Sequence, residues 1–143
     1  MTVAVASANH LAVVDRSSKW QRSIADCCVR YRVKTFLDAH LDEPLAASDV
    51  AAGALGCSAR YVHDLFADES VSPGEYVLAR RLERCMGDLV CGPSSRRVSE
   101  VAYAWGFNSD SHFSRSFRAR FSASPSEVRA RRVGCRAPAA RRV

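Results

Sequence analysis

The stretch Ser111–Phe121 reads SHFSRSFRARF. Phe113, Phe117 and Phe121 recur every fourth residue, the spacing of one buried helix stripe. Ser111, His112 and Arg115 then stand on the exposed start of that helix, with Arg118 and Arg120 further along. An arginine fork pairs bidentately with guanine O6 and N7, worth about 1–3 kcal/mol of discrimination against the wrong base. Serine and histidine side chains donate to bases or phosphates, while Arg118 and Arg120 point elsewhere and suit phosphate oxygens. Catalytic machinery is not evident: there is no nucleophile–base constellation, no glycine-rich phosphate loop and no carboxylate pair in context. The expectation is therefore no enzyme, no catalytic residue and no cofactor.

A helix that presents such residues needs a second helix to set its angle. Val98–Trp105 is short and apolar-periodic, Gly106-Phe107-Asn108 makes a turn, and the presenting helix runs from about Ser109 to Phe121. Helix, tight turn, helix is the geometry that lays a helix into the major groove of DNA. Ser124-Pro125-Ser126-Glu127 then opens a further helix, with Ser at the N-cap, Pro at the first position and Glu at the third.

Upstream, residues 1–20 show no clear periodicity and read as a poorly ordered leader or linker stub. Ile24, Cys28, Tyr31, Val33, Phe36, Leu37 and Leu41 predict a first helix by their 3–4 spacing, ended by Pro44. Ser48 caps a second helix that stops at Gly56. Ser58 caps a third, ARYVHDLFADE, with Tyr61 or Val62, Leu65 and Phe66 inward. Ser72-Pro73-Gly74-Glu75 opens a fourth and longest helix. Its apolar side is Tyr76, Leu78, Leu82, Cys85 and Leu89, and it stops at Gly92-Pro93. With no strand pattern anywhere, the expected fold is all-α with seven helices.

The chain also repeats itself. Ala52-x-x-x-Gly56 matches Ala102-x-x-x-Gly106 at an offset of 50, Leu65-Phe66 matches Ser116-Phe117 at 51, and Ser72-Pro-x-Glu75 matches Ser124-Pro-x-Glu127 at 52. The drift gives the second copy two extra residues, expected one in each turn. The alanine must be small where two helices cross closely. The glycine ends the first helix of each unit at positive φ, and the phenylalanine fills the core. Two helix-turn-helix subdomains joined by a long central helix follow. The boundaries are 1–22 leader, 23–72 first subdomain, 73–92 connecting helix, 93–133 second subdomain and 134–143 a disordered basic tail.

The formal charge is +6 and the sequence pI about 9.3, which suits a polyanionic partner. The charge is uneven: from Arg115 to the end there are nine arginines and one acid, Glu127. The six cysteines, Cys27, Cys28, Cys57, Cys85, Cys91 and Cys135, include no Cys-x-x-Cys pair. The first residues, MTVAVASANHLAVV, lack the basic start of a signal peptide. No stretch approaches about 18 apolar residues, so no membrane partner is expected. A cytoplasmic chain with reduced thiols and no bound metal is the expectation. An alternative reading makes Cys27, Cys28, Cys85 and Cys91 a thiol or metal sensor with DNA binding as its output.

The phrases Ser72-Pro73-Gly74-Glu75-Tyr76, Arg81-Leu82 and above all VAYAWGFNSDSHFSRSFRARFSASPSEVR resemble the DNA-binding domain of the AraC/XylS family of bacterial transcription regulators. The resemblance covers roughly Ile24–Arg132 and is more specific in the second unit. It implies two recognition helices in successive major-groove segments of one promoter duplex, about one helical turn (roughly 34 Å) apart. It also implies nucleoid association and, for an activator, RNA polymerase as a partner. Most members carry a sensing or dimerising domain before this one. Here only about 23 residues precede the expected first helix, so the sensor domain is absent from this chain, which reads as a stand-alone regulator or a fragment. In the first unit the matching positions are Arg60, His63 and Asp64, with Arg60 and His63 expected to join the base-reading set. Asp64 departs from the basic or amide residue usual there, so weak contact by the first unit is expected. Ser70 and Ser122 stand where the family commonly has glycine. A positive φ at either costs about 1 kcal/mol.

Overall fold

The computed structural model describes residues 8–43, 47–93 and 95–134. Seven helices and no strand occur among them: α1 Ala8–Ala39, α2 Ala47–Leu55, α3 Ala59–Ala67, α4 Pro73–Cys91, α5 Val98–Ala104, α6 Asp110–Phe121 and α7 Pro125–Gly134. Readings that fell on residues 1–7, on Pro44 and on the tail from Cys135 onward lie outside the described residues.

α4 organises the rest. Pro73 begins it, Ser72 caps it, and the capping box is complete: Ser72 N donates to Glu75 at 2.7 Å and Glu75 N donates to Ser72 Oγ at 3.2 Å. Nineteen residues carry it roughly 28 Å at the helical rise. Its near end joins one apolar core and its far end another. Val77 packs with Val33, Leu37, Val62 and Phe66, while Leu82, Cys85 and Leu89 pack with Val101, Phe113 and Phe117. Trp105 touches both clusters, and its indole Nε1 donates to Asp88 at 2.9 Å. A two-sided helix explains why Val77 escaped a single-stripe reading. Position 77 faces the first core, and the expected stripe from Leu78 to Leu89 faces the second.

The two units are built alike. In each, the residue after the glycine closes the helix by donating to the crossing alanine: Cys57 N to Ala52 O at 3.0 Å and Phe107 N to Ala102 O at 3.1 Å. Ala52 and Ala102 are buried, and Gly56 and Gly106 have φ of 66° and 77°. Ser58 Oγ accepts from Tyr61 N at 3.1 Å, and Ser109 Oγ from His112 N at 3.4 Å. Ser124 and Glu127 repeat the capping box of α4 at the start of α7. One extra residue of the second unit is Asn108, in the turn. The other lies in the last turn of α6 rather than in a connecting turn, because Ser122 follows Phe117 by five positions where Ser70 follows Phe66 by four.

Three expectations are corrected. α1 begins at Ala8, not near Ile24. No proline or glycine interrupts the chain from residue 8 to 39, and a helix without one continuous apolar face leaves no periodicity to read. The buried stripe of α1 is Val33 and Leu37, with Val29 beside them, while Ile24 and Tyr31 are 63% and 72% exposed. At about 100° per residue, Ile24 lies nine steps from Val33 and so on the opposite side. α2 begins at Ala47, which puts Ser48 inside the helix rather than at its cap.

Candidate nucleic-acid interface

α6 turns Phe113 and Phe117 into the second core, where their rings stack edgewise with centroids 5.4 Å apart. Ser111, Ser114, Arg115 and Arg118 are thereby left exposed along one strip at spacing i, i+3, i+4 and i+7. Arg115 Nε donates back to Ser111 O at 3.3 Å, which lays the start of the fork along the helix. Ser114 was not in the expected set, although three positions from Ser111 it shares the face of Ser111 and Arg115. His112 is exposed at the edge of the strip, with its ring 6.1 Å from Phe107.

Arg118 is exposed in the last turn of α6. Arg120 is engaged: Nη2 donates to Glu83 on α4 at 3.0 Å. Glu83 in turn accepts from Arg80 Nη1 at 2.7 Å, and Arg80 Nε donates to Asp38 on α1 at 2.8 Å. This chain of alternating charge runs from α1 across α4 to the end of α6. Burial pushes the Glu83 carboxyl up, but the hydrogen bonds from Arg120 and Arg80 together outweigh it, and it titrates below the usual carboxylate range. Hydrogen bonds to Asp38 first, and then to Glu83, hold Arg80 even more firmly protonated than a free arginine.

In the first unit, α3 buries Val62, Leu65 and Phe66 and exposes Arg60, His63 and Asp64 on one side. The N-caps Ser58 and Ser109 fix the correspondence at an offset of 51. Arg60 therefore matches Ser111, His63 matches Ser114 and Asp64 matches Arg115. The counterpart of His112 is Tyr61 and not His63. Tyr61 is withdrawn from any exposed role: its hydroxyl donates to Asp26 on α1 at 2.6 Å, which, with burial, raises its pKa. Two acids at the end of α3 are likewise tied to α1, Asp68 to Arg30 at 2.9 Å and Glu69 to Lys34 at 2.6 Å. The first recognition helix is thus strapped from behind by α1 and offers an acid where the second offers an arginine.

The cysteines of the alternative reading do not gather. Cys27, Cys28 and Cys91 are exposed and Cys85 is buried. Among the described residues no group of three or more His, Cys, Asp or Glu side chains is placed to hold a metal ion. Burial pushes the Cys85 thiol up to about 12, far from a reactive thiolate. Nor does any described helix have the length and apolarity to cross a membrane.

The family described as a helix-turn-helix domain matches residues 51–131, more than half of the chain. The transcriptional activator NphR of a Rhodococcus species is 38% identical over 95 residues, covering 66% of this chain and 28% of that protein. The chain spans less than a third of the length of such relatives. An AraC-type transcriptional regulator of Chromobacterium violaceum superposes with a TM-score of 0.68 at 30% identity, over 76% of this chain and 96% of that one. The DNA-binding domain of the global transcriptional factor AdpA, solved with a target DNA, shares the fold at a TM-score of 0.65 and 22% identity, over 75% and 95% of the two chains. With the repeated units, the shared central helix and this sequence match together, the chain belongs to the AraC/XylS family and carries its two-unit helix-turn-helix DNA-binding domain.

Proposed function

We propose that the protein is a sequence-specific, double-stranded DNA-binding transcription regulator in which α6 does most of the base reading. The observation that carries this is the exposed strip Ser111, Ser114, Arg115 and Arg118 on a capped helix whose opposite face is locked into the core. Arg115 takes a guanine edge, Ser111 and Ser114 take neighbouring bases or phosphates, and His112 reaches the flank of the same segment. Arg118 neutralises a phosphate. Arg120, held by Glu83, serves more as a brace between α6 and α4 than as a phosphate contact.

α3 enters the adjacent groove segment with Arg60 and His63. Asp64 repels nearby phosphates and limits the first unit to weak contact, so its main work is to position the second. The protein performs no catalysis and needs no cofactor. It acts on promoter DNA in the bacterial cytoplasm, within the nucleoid, and as an activator it would also meet RNA polymerase. A selected duplex bound at rising salt tests the reading. Affinity is expected to fall steeply with ionic strength, and Arg115→Ala to lose sequence preference as well as affinity. Unchanged binding of the selected site by Arg115→Ala would remove the base-reading assignment.

A further inference from the structure

Two small cores joined by one helix are expected to move against each other unless a large or specific interface holds them. Arg81, at the middle of α4, lies where they meet. Its Nε donates to Leu41 O at 2.7 Å and its Nη2 donates to Glu43 O, both in the turn that follows α1. Its Nη1 donates to Gly106 O, in the turn of the second unit, at 3.3 Å. A planar fork that engages three backbone carbonyls from two units has its geometry fixed by all of them.

Gly106 supplies an independent sign of closeness. A Cβ added there would lie 2.9 Å from Arg81 Cζ and 3.1 Å from Leu41 O, whereas at Gly56, the same motif position in the first unit, a Cβ would meet nothing within 4 Å. The repeated glycine therefore serves the backbone turn in both units, and in the second it also lets the guanidinium and the far turn approach. Half-burial of Arg81 costs it solvation, and its pKa is lowered accordingly. A cation is kept in a desolvated place where an apolar side chain would fill the space.

We propose that Arg81 is a positioning residue, a clasp that locks the turn after α1 to the turn between α5 and α6 and so fixes the rotation of α6 relative to α3. The consequence for DNA rests on the two-helix reading proposed above. One base pair moves a groove segment by about 3.4 Å and about 34°, so a locked pair of helices accepts one spacing and a loose pair accepts several.

Residual dipolar couplings on the full chain test the clasp without DNA. In the wild type, couplings from both units are expected to fit one alignment tensor. In Arg81→Met and in Arg81→Lys, whose single ammonium lacks the fork, each unit is expected to stay folded with a dispersed spectrum and to fit a tensor of its own. If Arg81→Met fails to fold, Arg81→Lys decides. A single shared tensor in a folded variant overturns the proposal. So does loss of folding in both, which would make Arg81 a residue the fold needs rather than one that sets phase. On the selected duplex, one base pair inserted between the contacted segments is expected to cost the wild type about tenfold in affinity and the variants less than about threefold. An equal penalty in wild type and folded variants also overturns it. A wild type that reads only one segment would sink the two-helix reading and leave the clasp to the couplings.

Discussion

Ser70 and Ser122 both sit at φ 55°, in the left-handed region that costs a side-chain-bearing residue and spares glycine. Ser122 caps the end of α6, its N donating to Arg118 O at 2.9 Å, and Ser70 lies in the turn just beyond α3, its N donating to Ala67 O at 3.1 Å. Ser122→Gly, and separately Ser70→Gly, should each stabilise the domain by up to about 1 kcal/mol. The gain would appear as a higher urea midpoint at unchanged slope, and an unmoved or lowered midpoint would mean the strain is relieved elsewhere. Arg118 and Arg120 are two positions apart and both exposed, but Arg120 is paired with Glu83. Arg118→Ala should shrink the salt dependence of DNA binding by about one unit of slope. Arg120→Ala should leave the slope nearly unchanged and lower the unfolding midpoint. The opposite pattern would return Arg120 to the phosphate.

At the scale of elements, the helices are held at their starts and strapped at their backs by carboxylates. Glu75 and Glu127 are held below the usual 4.5, first by the backbone N–H of Ser72 and Ser124. Glu69 is held there first by the Lys34 ammonium, and Glu83 by Arg120 and Arg80 against its own burial. In each case the folded value lies below the unfolded one. The contribution is complete above about 4.5 and is lost as pH falls through the folded values, because the unfolded chain binds more protons there. Thermal midpoints should therefore be flat from about pH 7 to about pH 5.5 and drop between about pH 5 and about pH 3. A midpoint that holds through that acid range would show these caps and straps to be dispensable.

The two Ser-Pro-x-Glu caps were legible in the sequence because that motif is local chemistry, complete within four residues, whereas Ser48 stands alone and lies inside α2 rather than at its cap. The turn glycines were legible because the alanine–glycine spacing occurs twice. Less legible was the inner face of α1, where Ile24-Cys28-Tyr31 forms as regular a stripe as Val29-Val33-Leu37 and only contact with α2, α3 and α4 chooses between them. The partners of Arg120 and Arg81 lie 25 to 40 positions away along the chain, and no local pattern announces them. The match of His112 to Tyr61 was hidden by the drifting offset, which the N-cap serines fix.

For the whole molecule, the two units share a plan and differ in what they expose. α3 is tied to α1 by Tyr61, Asp68 and Glu69 and presents Asp64. α6 presents Arg115 and Arg118 on an open strip. The tandem fold is therefore asymmetric in what it offers DNA, and the asymmetry is the central claim. Selection of binding sites from random duplexes, with the wild type and Arg115→Ala side by side, tests it most directly. The wild type should enrich one segment strongly, with a guanine at its heart, and a second segment about one helical turn away only weakly. Arg115→Ala should flatten the strong segment and spare the weak one. Equal information in both segments, or a strong segment that survives Arg115→Ala, would contradict the account.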